Sequence, residues 1–343
     1  MDLVLMKRKL YDLLVDLRLT VSKVLGFTQE LKQIAPVTTV DEFRFVHDLS
    51  HKPSEVLELP PKEKFIQPNA LLKSKIDFIL PETRYFDIAN EEGNRKLAYS
   101  ISGNMNAEKV LLCLPGLLET KDSFSVLHTH FLRFEDCKVV SVDFPGRGDS
   151  ESIALSQNYT MSLYLSDIQR LIKMLISNHT SGTQFTILGT SMGGVLAMYL
   201  TQSLGKRIFE IILNDIALTV NWTALYSLYK SMKNEVGFIE VKQLAKDLRV
   251  DERAFADVQL PGHFDLSYKA DVWGMNFHEA MEGYKGKVAL IYGADSKICT
   301  SQRVRSAKAA IPGLITFEVE NAGHPVPFTP QVCEFIQLQM KLR

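Results

Sequence analysis

Cysteine is scarce in this sequence, and its spacing argues against a metal-binding class of protein. The 343 residues contain four cysteines, which are Cys113, Cys137, Cys299 and Cys333. No two of them form a CxxC pair, and none has a histidine at the spacing of a zinc ligand set. The pattern predicts reduced, mostly buried thiols and no zinc site.

An excess of charge of either sign is also missing. Lys and Arg total 39 against 40 Asp and Glu, which leaves a formal net charge of -1. Proteins that bind nucleic acid usually present a strongly basic surface. This balance makes nucleic acid a poor partner.

Long apolar runs are absent as well. Residues 1–9 place a basic cluster after a very short apolar run and never reach the length of a signal-peptide core. No uninterrupted apolar stretch reaches the roughly 18 residues that a transmembrane helix needs. The sequence therefore predicts a soluble, cytoplasmic protein without a transmembrane segment.

Residues 1–81 are expected to form an N-terminal helical extension and connector. Apolar residues from Leu3 to Val24 recur at the three-and-four spacing of an amphipathic helix. A helix over 3–24 could pack on the main domain, lie on a membrane surface or mediate a dimer contact, and its mixed charge favours packing. Residues 30–81 are polar and rich in proline, which predicts short helices and an extended connector.

From residue 82 onward the pattern indicates an α/β domain that extends to residue 343. Thr83–Ile88 and Lys96–Ile101 flank the turn 91–94 and predict a hairpin. Short apolar runs then alternate with helical segments, which favours a doubly wound, mostly parallel sheet whose strands are buried on both faces. The predicted strands are 110–114, 139–142, 185–188, 208–213, 288–292 and 315–319, and the predicted helices are 162–176, 192–204, 302–311 and 329–342.

One long segment interrupts this alternation. Residues 217–285 are helical in pattern and rich in aromatic residues. Because a structureless loop of this length is improbable in a compact domain, the segment is interpreted as an inserted helical cap. Its aromatic side chains predict a substrate with an apolar portion.

The run Gly189-Thr190-Ser191-Met192-Gly193-Gly194 joins a predicted strand to a predicted helix. A GxSxG turn of this kind holds its serine in a strained backbone conformation that exposes the hydroxyl. The first amides of the following helix, beginning with Met192, point toward negative charge that forms beside the serine. Ser191 is therefore a candidate nucleophile, and Met192 a candidate oxyanion donor.

A serine nucleophile needs a histidine base and a carboxylate that orients the histidine. His324 follows a glycine at the end of the last predicted strand, and no other histidine of the chain has this strand-end Gly-His context. Asp295 follows strand 288–292 and is the preferred acid, whereas Asp215, which follows strand 208–213, is the alternative. All these strand ends face one crevice in an open α/β sheet.

These residues resemble α/β-hydrolase fold enzymes of the serine hydrolase type over about residues 83–343. The similarity rests on the serine turn, Asp295, Gly323-His324 and the loop 143–150. Many members have His-Gly where this chain has Pro115-Gly116, but the chemistry needs only the amide of the next residue, Leu117. The resemblance thus implies an oxyanion hole of Leu117 and Met192. It also implies that dehalogenases and epoxide hydrolases carry Asp at the serine position, so Ser191 argues against both.

The function expected is hydrolysis of a carboxylic ester through an acyl-enzyme on Ser191, with no metal and no cofactor. The same triad could instead serve as a thioesterase, a carbon-carbon bond hydrolase or an acyltransferase. A non-catalytic binding or scaffold protein on this fold is the alternative from another class. The expected partner is a small-molecule acyl substrate.

Overall fold

The computed structural model describes residues 78–90, 93–154, 159–177, 182–204, 207–221, 246, 249–250 and 274–342. The predicted N-terminal helix at 3–24 and nearly all of the connector lie outside these residues. So does most of the predicted cap, since only 217–221, 246, 249–250 and 274–285 of that segment are described. The proposed boundaries of these regions stay predictions.

Strands and helices alternate along the described residues much as the sequence predicts. The strands are β1 Phe78–Asn90, β2 Gly93–Asn104, β3 Lys109–Leu114, β4 Cys137–Val142, β5 Gln184–Thr190, β6 Ile208–Asn214, β7 Thr219–Asn221, β8 Gly274–Asn276, β9 Lys287–Gly293 and β10 Ile315–Val319. The helices are α1 Ser125–Phe131, α2 Met161–Ser177, α3 Met192–Leu204, α4 His278–Glu282, α5 Ser301–Ala310 and α6 Pro330–Gln339, with a 3-10 helix at Lys121–Phe124.

Eight of these strands form one mixed sheet in the order β1-β2-β4-β3-β5-β6-β9-β10. β2 pairs antiparallel with both β1 and β4, whereas every other neighbouring pair in the sheet is parallel. The predicted hairpin followed by a parallel sheet is therefore confirmed. The carboxyl ends of β3, β5, β6, β9 and β10 lie at one edge of the sheet, where ligands bind in open α/β folds.

The sheet is covered by helices on both faces, because its central strands are apolar on both sides. Alternate β3 residues enter different clusters: Leu112 packs in the core that includes α2 and α3, whereas Leu111 packs in the core that includes α1 and α6. Side chains alternate across a strand, so continuous apolar runs must be buried on both faces. This arrangement is a doubly wound sheet.

The last strand departs from the prediction of full burial. Along β10 the residues are exposed or half-buried, and Ile315 is 43% exposed. β10 lies at the edge of the sheet, and the described residues include no further strand beside it. The ring of Phe317 stacks on Phe335 of α6 with centroids 5.0 Å apart, so one face of this edge strand is covered.

The four cysteines are free and buried, as the sequence predicts. Among the described residues, no helix is both long and apolar enough to span a bilayer. A small antiparallel pair, β7 with β8, stands at the two ends of the long insertion between β6 and β9.

Candidate active site

Ser191 lies on a tight turn between β5 and α3. Its φ of 49° is in the left-handed region, which a residue with a side chain adopts only at a cost. The Ser191 N–H donates to the Asn214 carbonyl at 3.1 Å, and its own carbonyl accepts from the Gly194 N–H at 2.9 Å. These contacts hold the strained turn in place.

The two glycines of the motif are needed because backbone passes very close to them. A Cβ at Gly189 would lie 2.4 Å from the Gly193 oxygen, and a Cβ at Gly193 would lie 2.1 Å from the Leu114 oxygen. Both distances are far inside van der Waals contact. The GxSxG spacing thus reflects the close packing of β3, β5 and α3 around the turn.

His324 connects Ser191 to a buried carboxylate. Its Nε2 lies 2.9 Å from Ser191 Oγ, and its Nδ1 lies 2.7 Å from Asp215 Oδ2. An ionised carboxylate only accepts hydrogen bonds, so the proton belongs on Nδ1 and Nε2 is left to accept from the serine hydroxyl. The arrangement can remove the proton from Ser191.

Asp215 is fully buried and well supplied with hydrogen-bond donors. Its Oδ1 accepts from the Gly293 N–H at 3.0 Å, and its Oδ2 accepts from the Ser296 hydroxyl at 2.7 Å as well as from His324. The Ser296 oxygen in turn accepts from the Cys299 N–H at 2.9 Å. Hydrogen bonds of this kind stabilise a buried negative charge and fix its direction.

The carboxylate beside His324 is Asp215 and not Asp295, which corrects the preference drawn from the sequence. Asp295 lies two residues after β9, but it is exposed and makes no hydrogen bond or ion pair with His324 in the described part of the chain. Its backbone N–H donates instead to the Ala322 carbonyl at 3.0 Å. Asp215 turns toward the histidine because it leaves β6 with a left-handed φ of 56°.

The loop that carries His324 is fixed to β6 by a side chain to which the sequence assigned no role. Asn214 Nδ2 donates to the Val326 carbonyl at 3.0 Å, two residues after the histidine. Because Asn214 also precedes Asp215, one short segment positions both the acid and the base.

The two predicted oxyanion donors lie beside the nucleophile. Met192 is the first residue of α3, and a Cβ at Gly116, next to Leu117, would lie 3.5 Å from Ser191 Cβ. Neither the Leu117 N–H nor the Met192 N–H has a hydrogen-bond acceptor among the residues that the structure describes. Within the described residues, both amides therefore remain available to bind a substrate oxygen.

Two charged residues next to these amides were missed in the sequence. Glu119 Oε2 accepts from the Gly116 N–H at 2.7 Å, and Arg147 Nε donates to the Leu117 carbonyl at 3.0 Å. Burial raises the pKa of Glu119 to about 7, although the hydrogen bond from Gly116 and the nearby His324 offset part of this rise. Arg147 lies inside the 143–150 loop of the resemblance, but no pattern indicated which way its side chain turns.

Ion pairs link the loop after β3 to the loop after β4. The buried Asp143 accepts from the backbone N–H of Lys121 at 2.6 Å and from that of Asp149 at 2.8 Å. Lys121 Nζ lies 2.5 Å from Asp149 Oδ2, and Arg249 pairs with both Asp122 and Asp149. The resulting network supports the loop that carries Gly116 and Leu117.

Comparison with known families identifies the family of the chain. A model of the alpha/beta hydrolase family matches residues 111–335, which is well over half of the chain. The chain belongs to the alpha/beta hydrolase family. The expected fold and the expectation of a hydrolase enzyme are therefore confirmed.

Among similar proteins, the 3-hydroxybutyrate-oligomer hydrolase of Cupriavidus necator is 29% identical over 136 residues, 40% of this chain and 44% of that protein. The serine hydrolase-like protein of Homo sapiens is 32% identical over 108 residues, 32% of this chain and 50% of that protein. The matched region thus spans half or less of each of these relatives.

Solved structures of this family share the fold with the chain. An alpha/beta hydrolase from Novosphingobium aromaticivorans aligns with a TM-score of 0.59 at 21% identity, over 77% of this chain and 99% of that one. The esterase EaEST from Exiguobacterium antarcticum aligns with a TM-score of 0.56 at 18% identity, over 75% of this chain and 100% of that one. At such identities the likeness concerns the fold alone.

Proposed function

We propose that this alpha/beta hydrolase cleaves carboxylic esters through an acyl-enzyme on Ser191. The observation that carries the proposal is the continuous path of hydrogen bonds from Ser191 Oγ through His324 to Asp215, with distances of 2.9 and 2.7 Å. Asp215 takes the place of Asp295 as the orienting acid. No metal or cofactor is needed for this chemistry.

In the first half of the reaction, His324 Nε2 takes the hydroxyl proton as Ser191 Oγ attacks the substrate carbonyl carbon. The carbonyl oxygen becomes an oxyanion, for which the Leu117 and Met192 amides are the donors. When the tetrahedral intermediate collapses, His324 gives its proton to the departing alcohol oxygen. The acyl group stays on Ser191.

In the second half, water replaces the alcohol. His324 takes a proton from the water as its oxygen attacks the acyl carbon, and the same two amides hold the second oxyanion. Collapse releases the carboxylic acid and returns the proton to Ser191 Oγ. Asp215 neither gains nor loses a proton during the reaction, and it orients the imidazole.

The substrate side of the proposal is a small acyl ester with an apolar portion. Support comes from the aromatic composition of residues 217–285 and from the relative named 3-hydroxybutyrate-oligomer hydrolase. We therefore place short hydroxy-acid esters first in a substrate panel, beside 4-nitrophenyl esters of increasing chain length. Acyl thioesters and an added acceptor alcohol in the same panel test the thioesterase and acyltransferase alternatives.

Labelling with a fluorophosphonate probe tests the nucleophile. The wild type should be labelled and should hydrolyse esters, whereas Ser191→Ala should lose both properties and keep its melting temperature. Ser301→Ala, at an exposed serine that begins α5, is the matched control and should behave like the wild type. An unlabelled wild type without esterase activity would favour the scaffold alternative and refute the proposal.

A further inference from the structure

The peptide between Gly116 and Leu117 decides where the Leu117 N–H points. In a trans peptide, the C=O of one residue and the N–H of the next point in opposite directions. Glycine has the widest backbone freedom of any residue, so this peptide could rotate and turn the N–H away from Ser191. A donor that serves an oxyanion must instead be fixed before the reaction begins.

Glu119 holds this peptide from one side. Its backbone N–H donates to the Gly116 carbonyl at 3.3 Å, which directs the Leu117 N–H the opposite way. Its side-chain Oε2 accepts from the Gly116 N–H at 2.7 Å, which fixes the preceding peptide as well. A Cβ at Gly116 would lie 3.0 Å from that carboxylate oxygen, so any larger residue here would press against the Glu119 side chain.

Arg147 holds the next peptide from the other side. Its Nε–H donates to the Leu117 carbonyl at 3.0 Å. The two carbonyls that flank the Leu117 N–H are thus bound by different partners, one by the Glu119 backbone and one by the Arg147 guanidinium. With both carbonyls bound, the N–H between them cannot rotate without breaking a hydrogen bond.

The Arg147 side chain is itself rigidly held. It is fully buried, its Nη1 donates to the Pro145 carbonyl at 3.1 Å and to the Tyr164 hydroxyl at 3.2 Å, and its guanidinium lies 5.3 Å from the centre of the Tyr164 ring. Its Nη2 has no hydrogen-bond partner in the described part of the chain, and no described carboxylate pairs with it. Burying a cation without a carboxylate partner lowers the stability of the folded state. The burial of Arg147 is therefore not explained by packing alone.

We propose that Arg147 and Glu119 are positioning residues that together hold the Leu117 N–H in its donor orientation toward the oxyanion. This inference rests on the proposed function and deepens it, because it names the groups that keep one half of the oxyanion hole in place. Neither side chain needs to touch the substrate.

Four variants separate this role from a general effect on stability. Arg147→Lys keeps the charge but lacks the planar group that bonds three oxygens at once. Glu119→Ala removes the acceptor for the Gly116 N–H, whereas Glu119→Gln keeps an acceptor oxygen and removes the charge. Tyr164→Phe is the matched control, since it removes one hydrogen bond of Arg147 Nη1 but keeps the aromatic ring, the bond from Nη1 to the Pro145 carbonyl and the bond from Nε to the Leu117 carbonyl.

Each variant is assayed with a 4-nitrophenyl ester for kcat and KM, and with a trifluoromethyl ketone that forms a tetrahedral adduct on serine. Loss of one oxyanion donor costs about 10²- to 10³-fold in kcat, so a donor left in place but no longer held should cost about 10- to 100-fold. We expect this fall in kcat for Arg147→Lys and Glu119→Ala, with KM within about threefold and ketone affinity reduced in parallel. Glu119→Gln and Tyr164→Phe should stay within about threefold of the wild type.

The results distinguish failure of this inference from failure of the proposed function. If the wild type is labelled and active but Arg147→Lys and Glu119→Ala keep folded structure and wild-type kcat, the positioning role is wrong. The same conclusion follows if Tyr164→Phe loses as much kcat as Arg147→Lys, or if Glu119→Gln fails to restore activity. If Arg147→Lys does not fold, the Glu119→Ala and Glu119→Gln pair decides the question. A wild type without labelling or turnover refutes the proposed function itself.

Discussion

The replacement Asp215→Asn tests the correction made by the structure. Asp215 Oδ2 accepts from His324 Nδ1 and from the Ser296 hydroxyl, each at 2.7 Å. An asparagine that presents its NH2 group there cannot accept from Nδ1–H. The imidazole would then carry its proton on Nε2, and Ser191 would have no base.

The expected loss follows from the tautomer and from burial. In Ser-His-Asp enzymes this change lowers kcat by about 10⁴-fold, which corresponds to about 5.5 kcal/mol of transition-state stabilisation. Asp215 is fully buried, so water cannot replace the hydrogen bonds that its partners lose. The free energy of unfolding should therefore fall by about 1 to 3 kcal/mol as well. Asp295 is exposed and makes no hydrogen bond or ion pair with His324 among the described residues, so Asp295→Asn should keep kcat within about twofold.

Steady-state hydrolysis of a 4-nitrophenyl ester at neutral pH, beside a thermal melt of each variant, measures both effects. The melt shows that Asp215→Asn is folded at the assay temperature. The reasoning is refuted if Asp215→Asn keeps more than about a tenth of the wild-type kcat, or if Asp295→Asn loses as much activity as Asp215→Asn.

Three further substitutions test burial and packing. Glu210 is fully buried, and neither carboxyl oxygen has a hydrogen-bond partner among the described residues. Burial raises its pKa from 4.5 to about 7, so the stability of the fold should fall as pH rises between these two values. Glu210→Gln should therefore match the wild type at pH 5 in thermal melts and exceed its stability at pH 8 by up to about 3 kcal/mol, and equal stability at both pH values would contradict this. Burial lowers the pKa of His128 from 6.5 to about 4, so the wild type should lose up to about 3 kcal/mol as pH falls through that window, a loss that His128→Gln should lack in denaturant titrations. Gly189→Ala should prevent folding or labelling because its Cβ would lie 2.4 Å from backbone oxygen, whereas Gly313→Ala, with nothing within 4 Å, should keep both; a labelled Gly189→Ala protein would show that the turn can relax.

Ser191 and His324 illustrate what the sequence can predict. Each follows a strand in a short context of glycines, so local sequence alone places both at the same sheet edge. The choice between Asp215 and Asp295 could not be made this way, because both follow strands and both carry a carboxylate. The choice depends on the left-handed backbone at Asp215 and on the hydrogen bond that it accepts from β9. Neither feature can be recognised from the sequence.

The contacts to the loop that carries Gly116 and Leu117 could not be predicted for a related reason. Arg147 meets the Leu117 carbonyl across 30 positions of sequence, and the contact exists only because the loops after β3 and β4 fold against each other. A buried arginine also contradicts the usual expectation that arginine is exposed. Sequence patterns predict strands and turns well, but they give little information on which group the end of a long charged side chain contacts.

The position of the acid directly after β6 follows from the register of the sheet. Thr190 of β5 pairs with Asn214 of β6, so Ser191 and Asp215 leave neighbouring strands at the same level, with φ values of 49° and 56°. Adjacent strands are about 4.8 Å apart, a gap that one imidazole can bridge when it enters from the loop after β10.

An acid after β9 would start two strands from the nucleophile, about 10 Å across the sheet, and would have to reach back toward it. The turn at Asp295 instead donates its backbone N–H to Ala322, two residues before His324. The β9 turn therefore fixes the backbone that leads to the base, while β6 supplies the charge that orients it. This division explains why Asp295, a carboxylate at the correct edge of the sheet, makes no hydrogen bond or ion pair with the histidine in the part of the chain that the structure describes.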